Sequence, residues 1–400
     1  MSALHSLTLA KLASYAVQVA LLLVVATFVF DCIHYVLHQF LKSRFALLRA
    51  LGGLHQVHHD FYDRNLGLND EHLRGNLVKH VLPEYTTQVC VTSVAFLFLE
   101  PYPVVATLLL ETGVFIATLL LDGKDPNHQA LSAMRAPPHT FLVSPMYHAG
   151  HHVFPETNFG SYTSLFDCLM GTGTPLKGRR VVLTGASGAF GAPLKGLLER
   201  EGARVDTLKF GTDYTYSDYS RADALLRDAD ILVLAHGSKR EQAMQANCDS
   251  FVALIERFRA LAVGRKCPPE VWAVGSEIEA HPSFGNETLR IYSASKRAFA
   301  QHAWWYFRDR SLVYRHIVPS AFSSRMGPGL ISGETAARIA LFFIRRGFRY
   351  VPVTYTGIAF LNALKFFFNK GRPPVAPKDA AEPLACSAPP SSVRGPLQAR

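Results

Sequence analysis

The chain has no CxxC pair and no regular cysteine spacing. Its six cysteines, Cys32, Cys90, Cys168, Cys248, Cys267 and Cys386, argue against both a disulfide framework and a zinc finger and fit a reducing, cytosol-facing location. No haem or iron–sulfur motif is present either, so any redox chemistry that needs electrons must draw them from a separate donor. Concentrated positive charge is also missing. The 41 Lys and Arg exceed the 31 Asp and Glu, for a net charge of +10, but they are dispersed and many flank apolar runs. That distribution suits an anionic membrane surface and argues against a nucleic-acid partner. Histidine is scarce beyond residue 152. Only His236, His281, His302 and His316 of the 17 lie there, so the first part of the 400-residue chain is a compositional outlier and the length suggests more than one domain.

Residues 12–30, "LASYAVQVALLLVVATFVF", carry no charge and approach the roughly 20 needed to span a hydrocarbon core as helix. A signal peptide is the rival reading, but the preceding segment has only Lys11 as a base, shows no small-residue cleavage site, and leads directly into a histidine motif in helical register. Residues 86–121, interrupted at "EPYP", read as a membrane-embedded helical hairpin whose ends return to one face. Lys42, Arg44, Arg49, Arg64, Arg74 and Lys79 lie between these runs, and the positive-inside tendency places them and the histidines on the cytoplasmic side.

Three histidine groups stand at helical spacing: His34 and His38 in "HYVLH", His55, His58 and His59 in "HQVHH", and His148, His151 and His152 in "HAGHH". Intervals of three and four place imidazoles on one helix face, where they can converge on a metal. One such pair is more often a solvated or hydrogen-bonded pair. Eight nitrogens in three groups exceed what a tetrahedral zinc uses and match two irons of five or six ligands each. With "VSPMYHAGHH" followed by "NFGSYTSLFDCLMGT", the set resembles the fatty acid hydroxylase and sterol desaturase superfamily over about residues 15–175. The resemblance implies a histidine-bound di-iron centre held by those eight residues. It adds His128 in "DPNHQA" as a ligand and His80 in "LVKHVLPE" as a ligand or a supporting residue. It further implies dioxygen-dependent attack on a C–H bond of a hydrophobic lipid (sterol, fatty acyl chain or carotenoid), with a ferredoxin or cytochrome as electron donor. His5, His72 and His139 are left as solvated or locally bonded.

From Lys177 the pattern changes to "RRVVLTG", "ARVDTLKF", "ILVLAHG", "EVWAVGSE" and "LVYRHIVP", short β-branched runs separated by amphipathic stretches. These predict a parallel, helix-covered sheet. "VVLTGASGAFG" carries Gly185, Ser187, Gly188 and Gly191 at a strand-to-helix turn suited to a pyrophosphate, although tight turns without a ligand also look this way. "YSASK" adds Tyr292 and Lys296, with Ser276 16 residues before the tyrosine and Asn247 further upstream. Together these resemble the tetrad of short-chain dehydrogenases/reductases over about residues 178–345. The resemblance implies Tyr292 as proton donor or acceptor, Lys296 lowering its pKa and holding the nicotinamide ribose, Ser276 orienting substrate and Asn247 holding a helix kink. Departures are the GxxGxxG spacing, "AHG" in place of Asn-Ala-Gly, and a short interval before it that puts one strand-helix unit in doubt. No acid ends the second strand and Lys209 stands there, which favours NADP over NAD.

The expected architecture is an α-helical integral membrane domain (1–175), an α/β Rossmann-like doubly wound sheet (176–350), an apolar interfacial or core helix (351–370) and a disordered tail (371–400). The expected activity is lipid oxidation coupled to alcohol/carbonyl interconversion. The order of the halves is similar to plant cuticular wax enzymes that act on long-chain aldehydes. A metal-binding membrane scaffold with an NADP(H)-sensing domain is the alternative from another class.

Overall fold

The charge-free segment and the HxxxH pair form one helix, α1 (Leu9–Leu41), so the first histidines extend from the end of a run long and apolar enough to cross a membrane. The computed structural model describes residues 9–124, 127–129, 141–262, 267–280 and 285–374. A short turn returns the chain as α2 (Ala46–Phe61), whose buried face carries His55, His58 and His59. α3 (Leu73–Asn76) passes through a π turn at Leu77–Val81 into α4 (Leu82–Val94), and Pro101 starts α5 (Pro101–Leu120) in the opposite direction. The two arms are zipped by Tyr85 stacked on Phe115 at 4.3 Å and by Thr92 donating to Glu111 at 2.6 Å. α5 is also long and apolar enough to span, and it leaves Leu109, Leu110 and Leu120 bare. Apolar exposure on that scale calls for a non-aqueous neighbour. α6 (Pro145–Val153), capped by Ser144, delivers the last histidine group, and α7 (Leu165–Met170) lays Phe166 against Phe28 and Tyr35 of α1.

The C-terminal half contains β1 (Arg180–Thr184), α8 (Gly191–Arg200), β2 (Arg204–Leu208), α9 (Asp223–Asp228), β3 (Ile231–Leu234), α10 (Ser250–Leu261), β4 (Glu270–Val274), α11 (Glu287–Tyr306) and β5 (Val313–Pro319). After the two-residue strands β6 (Phe322–Ser323) and β7 (Ile331–Ser332) come α12 (Gly333–Arg345), β8 (Tyr350–Val353) and α13 (Ile358–Phe368). Six strands form a wholly parallel sheet in the order β2-β1-β3-β4-β5-β8. One apolar layer, with α8 and α12, covers one face, and a second, with α9, α10, α11 and α13, covers the other. Strands buried on both sides need no polar alternation, which explains runs such as "ILVL". The short interval noted in the sequence is a six-residue α9 in place of a further strand-helix unit. The stretch expected to be only an apolar helix begins instead inside β8. Pro352 tolerates that position because β8 is the edge of the sheet. Most of the expected disordered tail, from 375 on, lies outside the described residues.

The halves are joined at the N-terminal ends of the strands. Gly173 N–H donates to Arg345 O at 2.8 Å, and Thr174 Oγ1 donates to Ile344 O at 2.5 Å while accepting from Arg315 at 2.8 Å. Buried Glu270 takes Arg315 at 2.5 Å and Arg179 at 3.2 Å. The stretch between the halves is thus fastened to the sheet.

Candidate metal centre and dehydrogenase site

The nine histidines singled out in the sequence converge as two adjoining buried groups. His34, His38, His55, His59 and His151 form one, and His58, His128, His148 and His152 form the other. α1, α2 and α6 supply eight, and His128 enters from the stretch after α5. The groups touch where the rings of His59 and His152 lie 4.6 Å apart. Burial holds His55, His59, His151 and His152 well below the ordinary histidine pKa, with neighbouring imidazoles adding to the effect, so these rings are neutral.

The tautomers follow from the outer hydrogen bonds. Nδ1 of His34 meets Phe159 O at 3.3 Å, and Nδ1 of His151 meets Thr157 O at 2.8 Å. Nδ1 of His152 meets Tyr62 O at 2.6 Å, and Nδ1 of His58 meets Asn76 Oδ1 at 2.9 Å. An oxygen acceptor there requires N–H on Nδ1 and leaves Nε2 as a lone pair. Yet the Nε2 atoms of His34 and His151 stand 3.0 Å apart. Two lone pairs at that distance repel unless a cation lies between them. Ligands about 2.1 Å from one ion and at right angles are separated by about 3 Å, which fits this spacing. Buried His55 Nε2 also has no hydrogen-bond partner among the described residues. The residues present therefore fit two metal ions bound through Nε2. His80 belongs to neither group; its ring stacks on His58 at 3.7 Å. His72 is outside both groups, and His5 and His139 lie outside the described residues.

The loop after α6 is the support that reading the sequence missed. Asp167 accepts from Phe159 N–H at 2.9 Å, Gly160 N–H at 2.8 Å, Tyr147 Oη at 2.8 Å and Thr172 Oγ1 at 2.6 Å. Asp31 accepts from Ser161 N–H and Oγ at 2.9 and 2.6 Å. These carboxylates clamp the segment whose carbonyls orient His34 and His151. Gly160 is required because a Cβ there would meet Thr163 O at 2.2 Å. Asp31 lies three residues before His34, and that helical spacing was its available signal. A cavity of about 490 Å³ opens onto His38 and His59, and Pro175, Leu176 and Lys177 of the domain junction form part of its wall.

In the other half, a cavity of about 390 Å³ lies at the C-terminal ends of β3, β4 and β5 and is lined by Ser276, Tyr292, Lys296, Lys239 and Ile358. Burial pushes the Tyr292 phenol up to about 12, opposed by a hydrogen bond with Ser276. Burial brings Lys296 down to about 8, and its Nζ donates to Val274 O at 2.7 Å. Asn247 sits in a π turn at Gln245–Asp249, where it bonds Ser238 O at 2.7 Å, Ser238 N–H at 3.0 Å and Ser295 Oγ at 2.9 Å. His236 of "AHG" is tied to Thr184 and Ser250 hydroxyls at 2.7 and 2.8 Å, and burial drives its pKa down to about 3. Gly185 has φ +66°, and a Cβ on it would strike the Ala235 backbone at 2.6 Å. Ser187 and Gly188 are exposed on the turn that leads into α8, which Gly191 begins. Lys209 is exposed just beyond β2. The residues present fit a dinucleotide.

Residues 19–172 match the model of the Fatty acid hydroxylase family. A monoglucosyldiacylglycerol epimerase from Synechocystis sp. is 28% identical over 263 residues, 58% of this chain, a share larger than either half. The match covers 63% of that relative, so the chain spans less than two thirds of its length. Among solved structures, a short-chain dehydrogenase from Burkholderia cenocepacia in complex with NADP is similar at 16% identity over 49% of this chain and 96% of that one, with a TM-score of 0.41. Another, from Sphingobium yanoikuyae in complex with NADPH, has 16% identity over 50% and 99% of the two chains, with a TM-score of 0.39. The likeness to fatty acid hydroxylases thus falls on the half that bears the histidine clusters, and a Rossmann-like parallel sheet follows it.

Proposed function

We propose that this chain is a membrane-bound lipid oxidoreductase with two active sites, a di-iron oxidase and an NADP(H)-dependent dehydrogenase. The observation that carries the first site is the pair of Nε2 lone pairs on His34 and His151, 3.0 Å apart with both Nδ1 atoms committed elsewhere. His34, His38, His55, His59 and His151 would hold one iron, and His58, His128, His148 and His152 the other. Iron bound there supplies dioxygen-dependent oxidation of an unactivated C–H bond. The chain's own contribution is rigidity: Asp31 and Asp167 fix the loop that aims the rings, and burial keeps the imidazoles neutral. Electrons come from a separate ferredoxin or cytochrome. α1 and α5 span the bilayer, with both sites on the cytoplasmic side, where Lys42, Arg44 and Arg49 follow α1.

In the second half, bound NADP(H) would supply hydride chemistry. Tyr292 would move the proton at the substrate oxygen, Ser276 would orient that oxygen, Lys296 would hold the ribose, and Asn247 holds the turn beneath them. Gly185, Ser187, Gly188 and Gly191 would cradle the pyrophosphate, and Lys209 would meet the 2'-phosphate. The two sites act in sequence on a lipid alcohol or carbonyl.

Metal analysis of purified protein together with fluorescence titration by NADPH and NADH tests this reading. Iron near two per chain and tighter NADPH binding are expected; zinc or no metal would sink the oxidase. A second reading follows from the Synechocystis relative: Tyr292 withdraws and returns a proton at a secondary alcohol of a lipid headgroup, which is oxidised and re-reduced with inversion. Turnover that persists without dioxygen, shows no net NADP(H) consumption and is abolished by Tyr292→Phe would select it.

A further inference from the structure

We propose that the bare apolar face of α13 is a lipid-contacting track that joins the bilayer surface to the mouth of the dehydrogenase cavity; this rests on the membrane reading above. Phe360, Leu361, Leu364, Phe367 and Phe368 recur at helical spacing and are 53% to 78% exposed, whereas Ala359, Asn362 and Phe366 are buried beneath them. The helix is pinned from behind, so the exposure is built in. Asn362 Nδ2 donates to Glu279 at 2.9 Å, Ala359 N–H to Glu277 at 3.1 Å and Lys365 Nζ to Ala280 O at 2.7 Å.

Both ends of the track have neighbours that say what covers it. At the upper end, Ile358 and Tyr355 line the dehydrogenase cavity. At the foot, Phe367 meets Phe307 at 6.3 Å, and the Arg349 guanidinium lies 4.3 Å over Phe307. Phe348, next to Arg349 in the chain, continues the foot onto the α12 side of the sheet, where it packs on Phe343 at 5.3 Å and Arg346 covers Phe342 at 3.5 Å. Arg345 then reaches Gly171 O at 3.3 Å, at the end of α7, whose Phe166 lies against Phe28 of the α1 span. The foot is therefore continuous with a segment that reads as membrane-embedded. Aromatic rings interleaved with arginines are the side chains that anionic headgroup regions favour. Eleven residues at 1.5 Å each give a track of about 16 Å, along which an alkyl chain can reach Ile358 without crossing water.

The full-length protein in nanodiscs of phosphatidylcholine and phosphatidylglycerol, doped with a diazirine-bearing phosphatidylcholine, is irradiated and digested for peptide mass spectrometry. Adducts on residues 358–368 as well as on α1 and α5 are expected, and they should be lost from α13 in the Leu361→Gln, Leu364→Gln double variant while NADPH binding is unchanged. Adducts on α1 and α5 alone would overturn the track and leave the membrane reading standing. Cross-links between α13 of two copies in place of lipid adducts would also overturn it. Absence of adducts from all three helices would remove the membrane reading and the track together.

Discussion

His34 and His151, 117 residues apart, point their Nε2 atoms at each other across 3.0 Å while a carbonyl holds the far nitrogen of each ring. The contact is unfavourable for the protein alone and favourable around a cation, so the folded chain is shaped for metal before metal arrives.

Replacing His151 by Ala removes a ligand from the five-histidine group and leaves the four-histidine group intact. Bound iron is expected to fall by about half, read by elemental analysis of protein that still binds NADPH. Unchanged iron would refute His151 as a required ligand, and loss of all iron would show that the two groups do not load separately.

Asp167→Asn keeps the shape of the side chain but weakens the four-fold clamp on the loop after α6. Outer-sphere losses of this kind cost about 10- to 100-fold in metal affinity. Competition with a calibrated chelator measures it, and wild-type affinity in the variant would refute the positioning role.

Lys296, brought down to about 8 by burial, carries its charge below that pH and loses it above. Cofactor affinity should therefore weaken as pH rises through about 8, where the cation proposed to meet the ribose disappears. NADPH titrations across this range should show the step, and Lys296→Met should abolish it.

Tyr292→Phe removes the hydroxyl proposed to donate the proton and leaves the cavity's shape. Dehydrogenase turnover should drop by about 10²- to 10⁴-fold with cofactor binding retained. Lipid products of the metal site should persist in a host expressing the variant. If every lipid product is unchanged, the two activities are uncoupled.

Glu270 is buried between Arg179 and Arg315 at the junction of the halves. Glu270→Ala leaves two buried guanidinium groups without their carboxylate, a change that destabilises by about 3–5 kcal/mol. Denaturant unfolding of the C-terminal half, followed by near-UV circular dichroism of Trp272, which donates to the same carboxylate at 2.7 Å, provides the readout.

The histidine groups were legible because helical periodicity is written in side-chain identity. His34 and His38 share one face of α1 by spacing alone. Their orienting partners were not legible, because Phe159 O, Thr157 O and Tyr62 O are backbone atoms that any residue could supply. The alternation of strands and helices after Lys177 was equally readable. β8 was not, since "YVPV" is short, contains proline and runs on toward an apolar helix; only its pairing with β5 makes it a strand. α13 could be read as interfacial or core; in the fold one face packs under Glu277 and Glu279 and the other is open.

The cavity touching His38 and His59 abuts the residues that precede β1, whereas the cavity at Tyr292 follows β3, β4 and β5. Five-residue strands at about 3.3 Å per residue separate these levels by roughly 17 Å. The two cavities thus open at opposite ends of the sheet's strands. If both proposed sites act on one lipid, a compound released at the first should reach the second through the surrounding lipid pool, so its conversion should begin after a lag and be diluted by unlabelled compound added from outside.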